Sequence, residues 1–287
     1  MTRRSRVTDV GPAQVVRRAA EYLERHGEES PVPTAERLLS HVLGTDRSGI
    51  YAREGLTSQE AKLFGRALCR RCVGEPVQHV TGEQGFRRLT VGVRPGVFVP
   101  RPETEILVQV VLDEVAEVES PVMVDVCTGS GAVALALKDE RPDATVFAID
   151  LAPEAVALAR ENAGSLGLPL TVLEGDLLDA LPAELRGGVD VVKCNPPYVP
   201  PEARDSLPPD VRAEPELAVF GGLALYERLF AQAMGYLRPG GVVAVEIEES
   251  TAAAVSQAAA REGFEGLSVR RDLTGRDRVV RGRQPRS

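Results

Sequence analysis

The period of the hydrophobic positions changes along the chain. From Pro12 to His26 the residues Val15, Val16, Ala19, Ala20, Tyr22 and Leu23 fall near helical spacing. Thr34 opens a second such stretch, carrying Leu38, Leu39, Val42 and Leu43, and Ser58 to Val73 makes a third. Gly27, Pro31, Pro33, Gly44 and Gly55 punctuate them. Residues 1–82 therefore read as a helical domain. From Phe86 to Pro100 the pattern alternates about a Pro95-Gly96 turn, which predicts a β-hairpin within a linker spanning 83–102. Pro100-Arg-Pro102 stiffens the approach to a helix expected over Glu103 to Val118.

Beyond Val122, short β-branched runs alternate with helical stretches. Val122–Val126, Ala144–Ile149, Leu170–Leu173, the run ending at Cys194 and Val242–Ile247 read as strands. This alternation predicts an α/β fold over 103–287, a parallel, doubly wound, Rossmann-like sheet. Ligands of such sheets sit at the C-terminal strand ends. Arg281 to Ser287 are expected to be a disordered tail, and no internal repeat is present.

The chemistry gathers at those strand ends. Cys127-Thr-Gly-Ser-Gly131 lies between a strand and the helical Ala132–Lys138. Strand, glycine turn and helix are the context of a nucleotide-binding loop. Glycine lets backbone approach a ligand closely, and the helix start offers free N–H groups. No third glycine follows at dinucleotide spacing, and no Gly-Lys-Ser/Thr makes a phosphate loop. Asp150 ends the next strand, where a carboxylate can accept both hydroxyls of a ribose. Asp176 follows the third strand, placed to meet an adenine amine. Helix capping also accounts for an aspartate at either position.

Asn195-Pro-Pro-Tyr198 ends the fourth strand. Two prolines cannot continue a central strand, because they donate no N–H. The loop they stiffen is poor in donors and keeps its carbonyls as acceptors. Asn195 adds a side-chain acceptor and Tyr198 an aromatic face. Such a loop can hold a planar NH2 group by its two hydrogens, which suits methylation of an amide or a base amine. A simple rigid turn is the competing reading.

Composition narrows the classes. The 287 residues are 43% hydrophobic and 26% charged, ordinary for a soluble globular protein. No apolar run is long enough to span a bilayer. Met1 to Arg6 is basic but no signal-peptide core follows, so a cytoplasmic protein is expected. A net charge of −8 disfavours general nucleic-acid binding. Arg270, Arg271, Arg276, Arg278, Arg281 and Arg283 nevertheless cluster, as a solvated edge hairpin and tail or as a surface for an acidic partner or RNA. Cys69 and Cys72 have metal-knuckle spacing, but no second pair completes a zinc site. They read as packing residues of a helix, and no metal is expected.

Together these segments resemble class I S-adenosylmethionine-dependent methyltransferases. More narrowly, the chain resembles the protein N5-glutamine methyltransferases that modify peptide chain release factors. Pro76-Val-Gln-His-Val-Thr-Gly82, Val97-Phe-Val-Pro-Arg-Pro-Glu-Thr-Glu105, Glu214-Pro-Glu-Leu-Ala218, Gly221-Gly222 and Asp272-Leu-Thr-Gly-Arg-Asp-Arg-Val279 match that family's motifs in order. The resemblance implies S-adenosyl-L-methionine as cofactor and a release factor as protein partner, recognised with help from the helical domain. A monomer with no membrane partner and no direct nucleic-acid partner is expected. Asn195, Pro196, Pro197 and Tyr198 are the implied catalytic residues. Asp125, Cys127, Thr128, Gly129, Ser130, Gly131, Asp150, Asp176, Leu177 and Asn195 are implied to bind cofactor. Phe86, Arg101, Glu103 and Glu246 are implied to wall the substrate pocket. Cys127 stands where the family commonly has Gly. Leu223-Ala-Leu225 and Glu248 also depart from it, which keeps open a small-molecule amide, amine or guanidine as acceptor. A nucleic-acid amino methyltransferase shares the Asn-Pro-Pro-aromatic loop and is the other alternative.

Overall fold

A computed structural model describes residues 10–199, 201–206, 209–212 and 214–286; the basic segment Met1 to Arg6 lies outside them. The chain forms two compact units, Met1–Gly82 and Glu83–Ser287. The first holds α1 (Pro12–Glu24), α2 (Pro31–Leu43), α3 (Arg47–Tyr51), α4 (Ser58–Cys72) and α5 (Val77–Thr81). The start of α4 is fixed by a capping box. Thr57 Oγ1 accepts the Glu60 N–H at 3.2 Å, and the Glu60 carboxylate accepts the Thr57 N–H at 2.7 Å. Leu23, Leu38, Leu39, Ile50 and Phe64 meet in one core, so the helical stripes are core faces. Cys72 packs against that core, whereas Cys69 is exposed.

The second unit opens with an antiparallel hairpin, β1 (Glu83–Phe86) and β2 (Leu89–Gly92). Its turn is Arg87-Arg88, not the expected Pro95-Gly96, which forms a separate turn farther on. Arg87 adopts φ +53° without being glycine. Tertiary bonds hold it there: its N–H donates to Glu105 at 3.0 Å, and its guanidinium grips both Glu140 oxygens at 2.7 Å. The hairpin is pinned to the helix behind it, because the Asn162 side chain bonds both the N–H and C=O of Gly92, at 2.8 and 3.0 Å.

After a single helical turn at Pro102–Thr104 come α6 (Glu105–Glu114), β3 (Val122–Val126), α7 (Ala132–Glu140), β4 (Thr145–Asp150), α8 (Pro153–Leu166), β5 (Thr171–Glu174) and β6 (Val189–Cys194). Then follow α9 (Pro209–Arg212), α10 (Glu216–Val219), α11 (Leu223–Tyr236), β7 (Leu237–Glu246), α12 (Ala252–Arg261), β8 (Glu265–Arg271) and β9 (Asp277–Arg283). The sheet has seven strands in the order β5-β4-β3-β6-β7-β9-β8. It is parallel from β5 to β7, as the alternation predicts, and β9 runs antiparallel to both its neighbours. The expected loose tail is thus partly strand. Val279 and Val280 are buried against β7, and Arg281 and Arg283 both pair with Glu114.

Alternate strand residues feed two apolar layers. Met123 packs with Leu107, Val111, Leu135 and Val156, while Val124 and Val126 pack with Tyr226, Phe230 and Val255. Register positions the site. Val126 pairs with both Ile149 and Cys194, and Cys194 with Val245. Four parallel strands therefore stop along one edge, and Cys127, Asp150, Asn195 and Glu246 follow from it. Among the described residues no helix is long and apolar enough to cross a membrane.

Candidate active site

The glycine loop is held from below. Asp125 is fully buried at the end of β3, where one oxygen accepts the Thr128 hydroxyl at 2.8 Å and the Ala134 N–H at 3.0 Å. Its other oxygen pairs with the buried Lys193 of β6. Asp125 thus acts on the loop rather than lining the crevice. The Thr128 N–H donates to the Ile149 carbonyl at 3.0 Å, and the Gly129 N–H donates to the Asp150 carboxylate at 2.8 Å. The Ala152 N–H caps the other Asp150 oxygen at 3.0 Å. Burial raises the proton affinity of Asp150, and the N–H groups of Ala152 and Gly129 oppose it. Gly131 has φ +81°, and a Cβ there would stand 3.1 Å from that of Ala159, so glycine is required where α7 meets α8. Cys127 accepts φ +55° with a side chain, where a glycine would be unstrained.

A crevice of about 280 Å³ opens along this edge. Cys127, Thr128, Gly129, Ser130, Val133, Asp150, Leu151 and Ala152 line it on one side. Lys193, Asn195, Pro196, Pro197, Tyr198, Phe98, Pro100, Arg101, Thr104 and Leu225 line it on the other. The structure brings the glycine loop, Asp150, Arg101 and the Asn-Pro-Pro-Tyr loop together. It does not bring the rest. Phe86 is in the core beside the hairpin, since its place in β1 turns it inward. Glu103 is exposed and outside the lining. Asp176 pairs with Arg228 at 2.6 Å, and Leu177 is buried at φ +53°. Glu248 caps the Ser250 N–H at 2.9 Å, away from the crevice, so of the family departures only Cys127 and Leu225 line it.

Phe98, which sequence patterning did not single out, is the aromatic wall that Phe86 was expected to be. The Arg101 guanidinium lies 5.1 Å from the Phe98 ring centre and 3.2 Å from Glu214, which also accepts the Val99 N–H at 3.4 Å. Two separate sequence motifs thus meet at one ion pair. Thr104 and Lys193 were also missed. A lone cation in an apolar strand was the available signal for Lys193, since such a charge needs a buried partner.

The Asn-Pro-Pro-Tyr loop leaves β6 and is braced by a bridge between Val199 and Phe220. The Asn195 Nδ2 donates to Thr104 Oγ1 at 3.4 Å. Asn195 Oδ1 and the Pro196 carbonyl have no hydrogen-bond partner among the described residues. The Tyr198 hydroxyl donates to Glu246 Oε1 at 3.4 Å, and Tyr226 donates to the Glu246 carbonyl at 2.8 Å. Glu246 is buried behind Tyr198, where burial pushes its carboxyl up to about 7 despite Thr104, Arg278, Lys193 and Tyr198. Burial and then Glu246 raise the Tyr198 phenol.

The site can therefore hold a nucleoside beside Asp150 and an amino group at Asn195. Ser130 adds a buried hydroxyl without a partner among the described residues, and open space faces the Cα of Gly129 at φ +57°. An acidic group for sugar hydroxyls, a glycine cradle and apolar walls fit a sulfonium nucleoside.

Known proteins share this plan. Residues 14–82 match the PrmC N-terminal domain, and residues 88–207 match the methyltransferase small domain. The release factor glutamine methyltransferase of Moorella thermoacetica is 41% identical over 274 residues, spanning 92% of this chain and 95% of that protein. That of Deinococcus radiodurans is also 41% identical over 274 residues, spanning 93% and 96%. Among solved structures, the T. thermophilus 16S rRNA N2 G1207 methyltransferase RsmC, in complex with AdoMet and guanosine, aligns with TM-score 0.51 at 19% identity. It covers 68% of this chain and 47% of that one. The hMettl16 catalytic domain aligns with TM-score 0.55 at 14% identity, covering 69% and 75%. The two structures share the sheet and its crossovers; the sequence relatives go further, and by them the chain belongs to the release factor glutamine methyltransferase family.

Proposed function

We infer that this protein transfers a methyl group from S-adenosylmethionine to the side-chain nitrogen of a glutamine, in the Gly-Gly-Gln loop of a peptide chain release factor. The observation that carries this reading is a pair of acceptors, Asn195 Oδ1 and the Pro196 carbonyl, without partners among the described residues, in one crevice that Phe98 and Tyr198 also line. A planar NH2 group has two hydrogens to give and two faces to cover. The acidic net charge of −8 supports a protein acceptor over nucleic acid, with the enzyme acting as a monomer in the cytoplasm.

When bound, S-adenosylmethionine supplies a methyl carbon on a positively charged sulfur. Asp150 would accept the ribose hydroxyls, and the loop from Cys127 to Gly131 would hold the methionine part. Asn195 and Pro196 accept the two amide hydrogens, which aims the nitrogen lone pair along the crevice. An amide nitrogen is a poor nucleophile because its lone pair is shared with the carbonyl. Orientation therefore does much of the work, and fixed geometry can supply up to roughly 7–11 kcal/mol. The same acceptors stabilise positive charge as it grows on nitrogen. A C–N bond forms as the C–S bond breaks, and the nitrogen then loses one proton to solvent.

Incubation with S-adenosylmethionine and unmodified release factor, followed by peptide mass spectrometry, tests the reading. One methyl on the Gly-Gly-Gln glutamine is expected. Intact cofactor binding with no transfer would overturn it. Asn195→Ala should lower kcat about 100- to 1000-fold, the usual cost of one preorganised hydrogen-bonding group, while cofactor affinity is largely kept.

A further inference from the structure

The hairpin of β8 and β9 carries a sequence motif that the methyl-transfer chemistry leaves without a role. Its tip is Asp272-Leu-Thr-Gly-Arg276, between Arg271 and Asp277, which pair across the two strands. Asp272 is buried and ties the tip from within. Its Oδ1 accepts the Thr274 N–H at 2.9 Å, the Thr274 hydroxyl at 2.6 Å and the Arg276 N–H at 3.2 Å. Its Oδ2 accepts two N–H groups of Arg278, both at 3.1 Å. This tied turn presents Leu273 fully exposed to water. Arg270, Arg271 and Arg278 are paired with Asp113, Asp277 and Asp272. Arg276 is exposed at the tip, and its guanidinium has no partner among the described residues.

Strand register places this tip on the side of the sheet that carries the crevice. Val279 of β9 pairs with Glu246, the last residue of β7, and the Ile247 N–H donates to the Arg278 carbonyl at 2.9 Å. The tip therefore projects from the edge where the parallel strands stop. In the sheet β9 is two strands from β6, which leads into Asn195. That is about 10 Å at a spacing of about 4.8 Å per strand. Exposed apolar residues gather on the same edge. Among the described residues of the second unit five large ones are exposed: Leu151, Leu217, Leu223, Val269 and Leu273. Leu151 follows Asp150 at the end of β4, and Leu217 lines the crevice. Leu223 stands between Gly221, pressed on Pro197, and Leu225 of the crevice wall. Val269 is level with Val245 through Val280. Scattered exposed leucines need no explanation, but five confined to one edge do.

We propose that this rim is where the folded release factor docks, with Leu273 and Arg276 of the hairpin tip as its outer anchor. The inference rests on the glutamine-methyltransferase reading above and adds which surface beyond the crevice takes the protein. A glutamine side chain needs only the crevice. A specific protein contact covers about 800 Å² per partner, a disc of about 16 Å radius. Centred on Asn195, such a disc reaches the tip, about 10 Å away along the sheet. A small-molecule acceptor would sit inside the crevice and leave Leu273 in water. Because Leu273 is fully exposed in the free protein, docking gains the burial of its whole side chain. The partner surface therefore has an apolar spot opposite Leu273 and a carboxylate within reach of Arg276. On a chain of net charge −8, an unpaired arginine also fixes where an acidic group can land.

Leu273→Asp tests the anchor. The position is fully exposed, so the urea midpoint should stay at the wild-type value. With folded, unmodified release factor, KM should rise roughly 5- to 30-fold, the weight of one interface anchor, while kcat at saturation and cofactor affinity hold. Arg276→Ala should raise KM by about 2- to 5-fold, the weight of an exposed charge, and flatten its dependence on salt. Calorimetric titration of release factor into enzyme carrying S-adenosylhomocysteine should rank the two variants the same way without turnover. Unchanged KM and binding in Leu273→Asp, beside a wild type that methylates the release factor, overturns the docking proposal and leaves the glutamine reading standing. A fall in kcat alone would place Leu273 in the chemistry and overturn it too. Weakened binding of a single-stranded RNA in Arg276→Ala, with KM for the release factor unchanged in both variants, would assign the tip to RNA instead. A wild type that binds cofactor and transfers no methyl to the release factor overturns the glutamine reading, and the docking proposal with it.

Discussion

Lys193 places a charge in the middle of a sheet whose strand is otherwise buried and mostly apolar. Its ammonium and the Asp125 carboxylate are both shielded from water, so each is tolerable only because of the other. Replacing Lys193 with Met should leave Asp125 buried without its counter-charge, at a cost of about 3–5 kcal/mol. Urea denaturation should show an early midpoint for Lys193→Met, and Asp125→Asn added to it should recover part of the loss. An unchanged midpoint would mean that the pair contributes nothing to the fold. The same pair shows what single residues reveal in a sequence. The charge inside an apolar run was visible, but its partner lies on another strand and emerges only from the β3–β6 register. Asn195 and Asp150 were readable because each stands at a strand end in a local pattern, and Gly129 because it lies in the short turn between strand and helix. Phe86 and Phe98 were not distinguishable, since which ring reaches the crevice depends on how the hairpin packs.

Elements around the Asn-Pro-Pro-Tyr loop brace it through backbone. The Val199 N–H donates to the Val219 carbonyl, and the Gly221 N–H donates to the Val199 carbonyl, each at 3.0 Å. Gly221 is pressed so closely on Pro197 that a Cβ would overlap the Pro197 carbonyl. Gly221→Ala should therefore push the Asn-Pro-Pro-Tyr loop while leaving the glycine loop and Asp150 alone. A displacement of about 1 Å can cost about 100-fold in rate. A fall of roughly 10- to 100-fold in kcat is expected, with cofactor affinity within about twofold by calorimetry; equal losses in both would place the damage elsewhere. Sequence patterning located the parallel strands and this loop because their period and proline chemistry are local. It misplaced the hairpin, because Arg87 reaches positive φ through ion pairs to distant Glu140 rather than through glycine. It read the end of β9, from Arg281, as tail for a related reason. Arginines at 281 and 283 look solvated until Glu114 appears beside them.

On the scale of the whole molecule, stability against pH follows from opposed sets of carboxylates. Glu140, held by Arg87, and Glu75, held by Arg70, have lowered pKa values in the folded chain. What they contribute is present above the unfolded glutamate pKa of about 4.3 and is lost as pH falls through their folded values. Glu246 has the opposite sign, because burial raises it to about 7. Its contribution is full below about pH 4.3 and is lost as pH rises to about 7. A shift of that size corresponds to something on the order of 3 kcal/mol. The net charge of −8 adds repulsion in the same direction. Stability should therefore peak near about pH 5 and decline toward neutrality. Glu246→Gln cannot titrate, so its unfolding free energy should change less between pH 5 and 7 than that of the wild type. Parallel curves for the two proteins would show that Glu246 is not the group responsible.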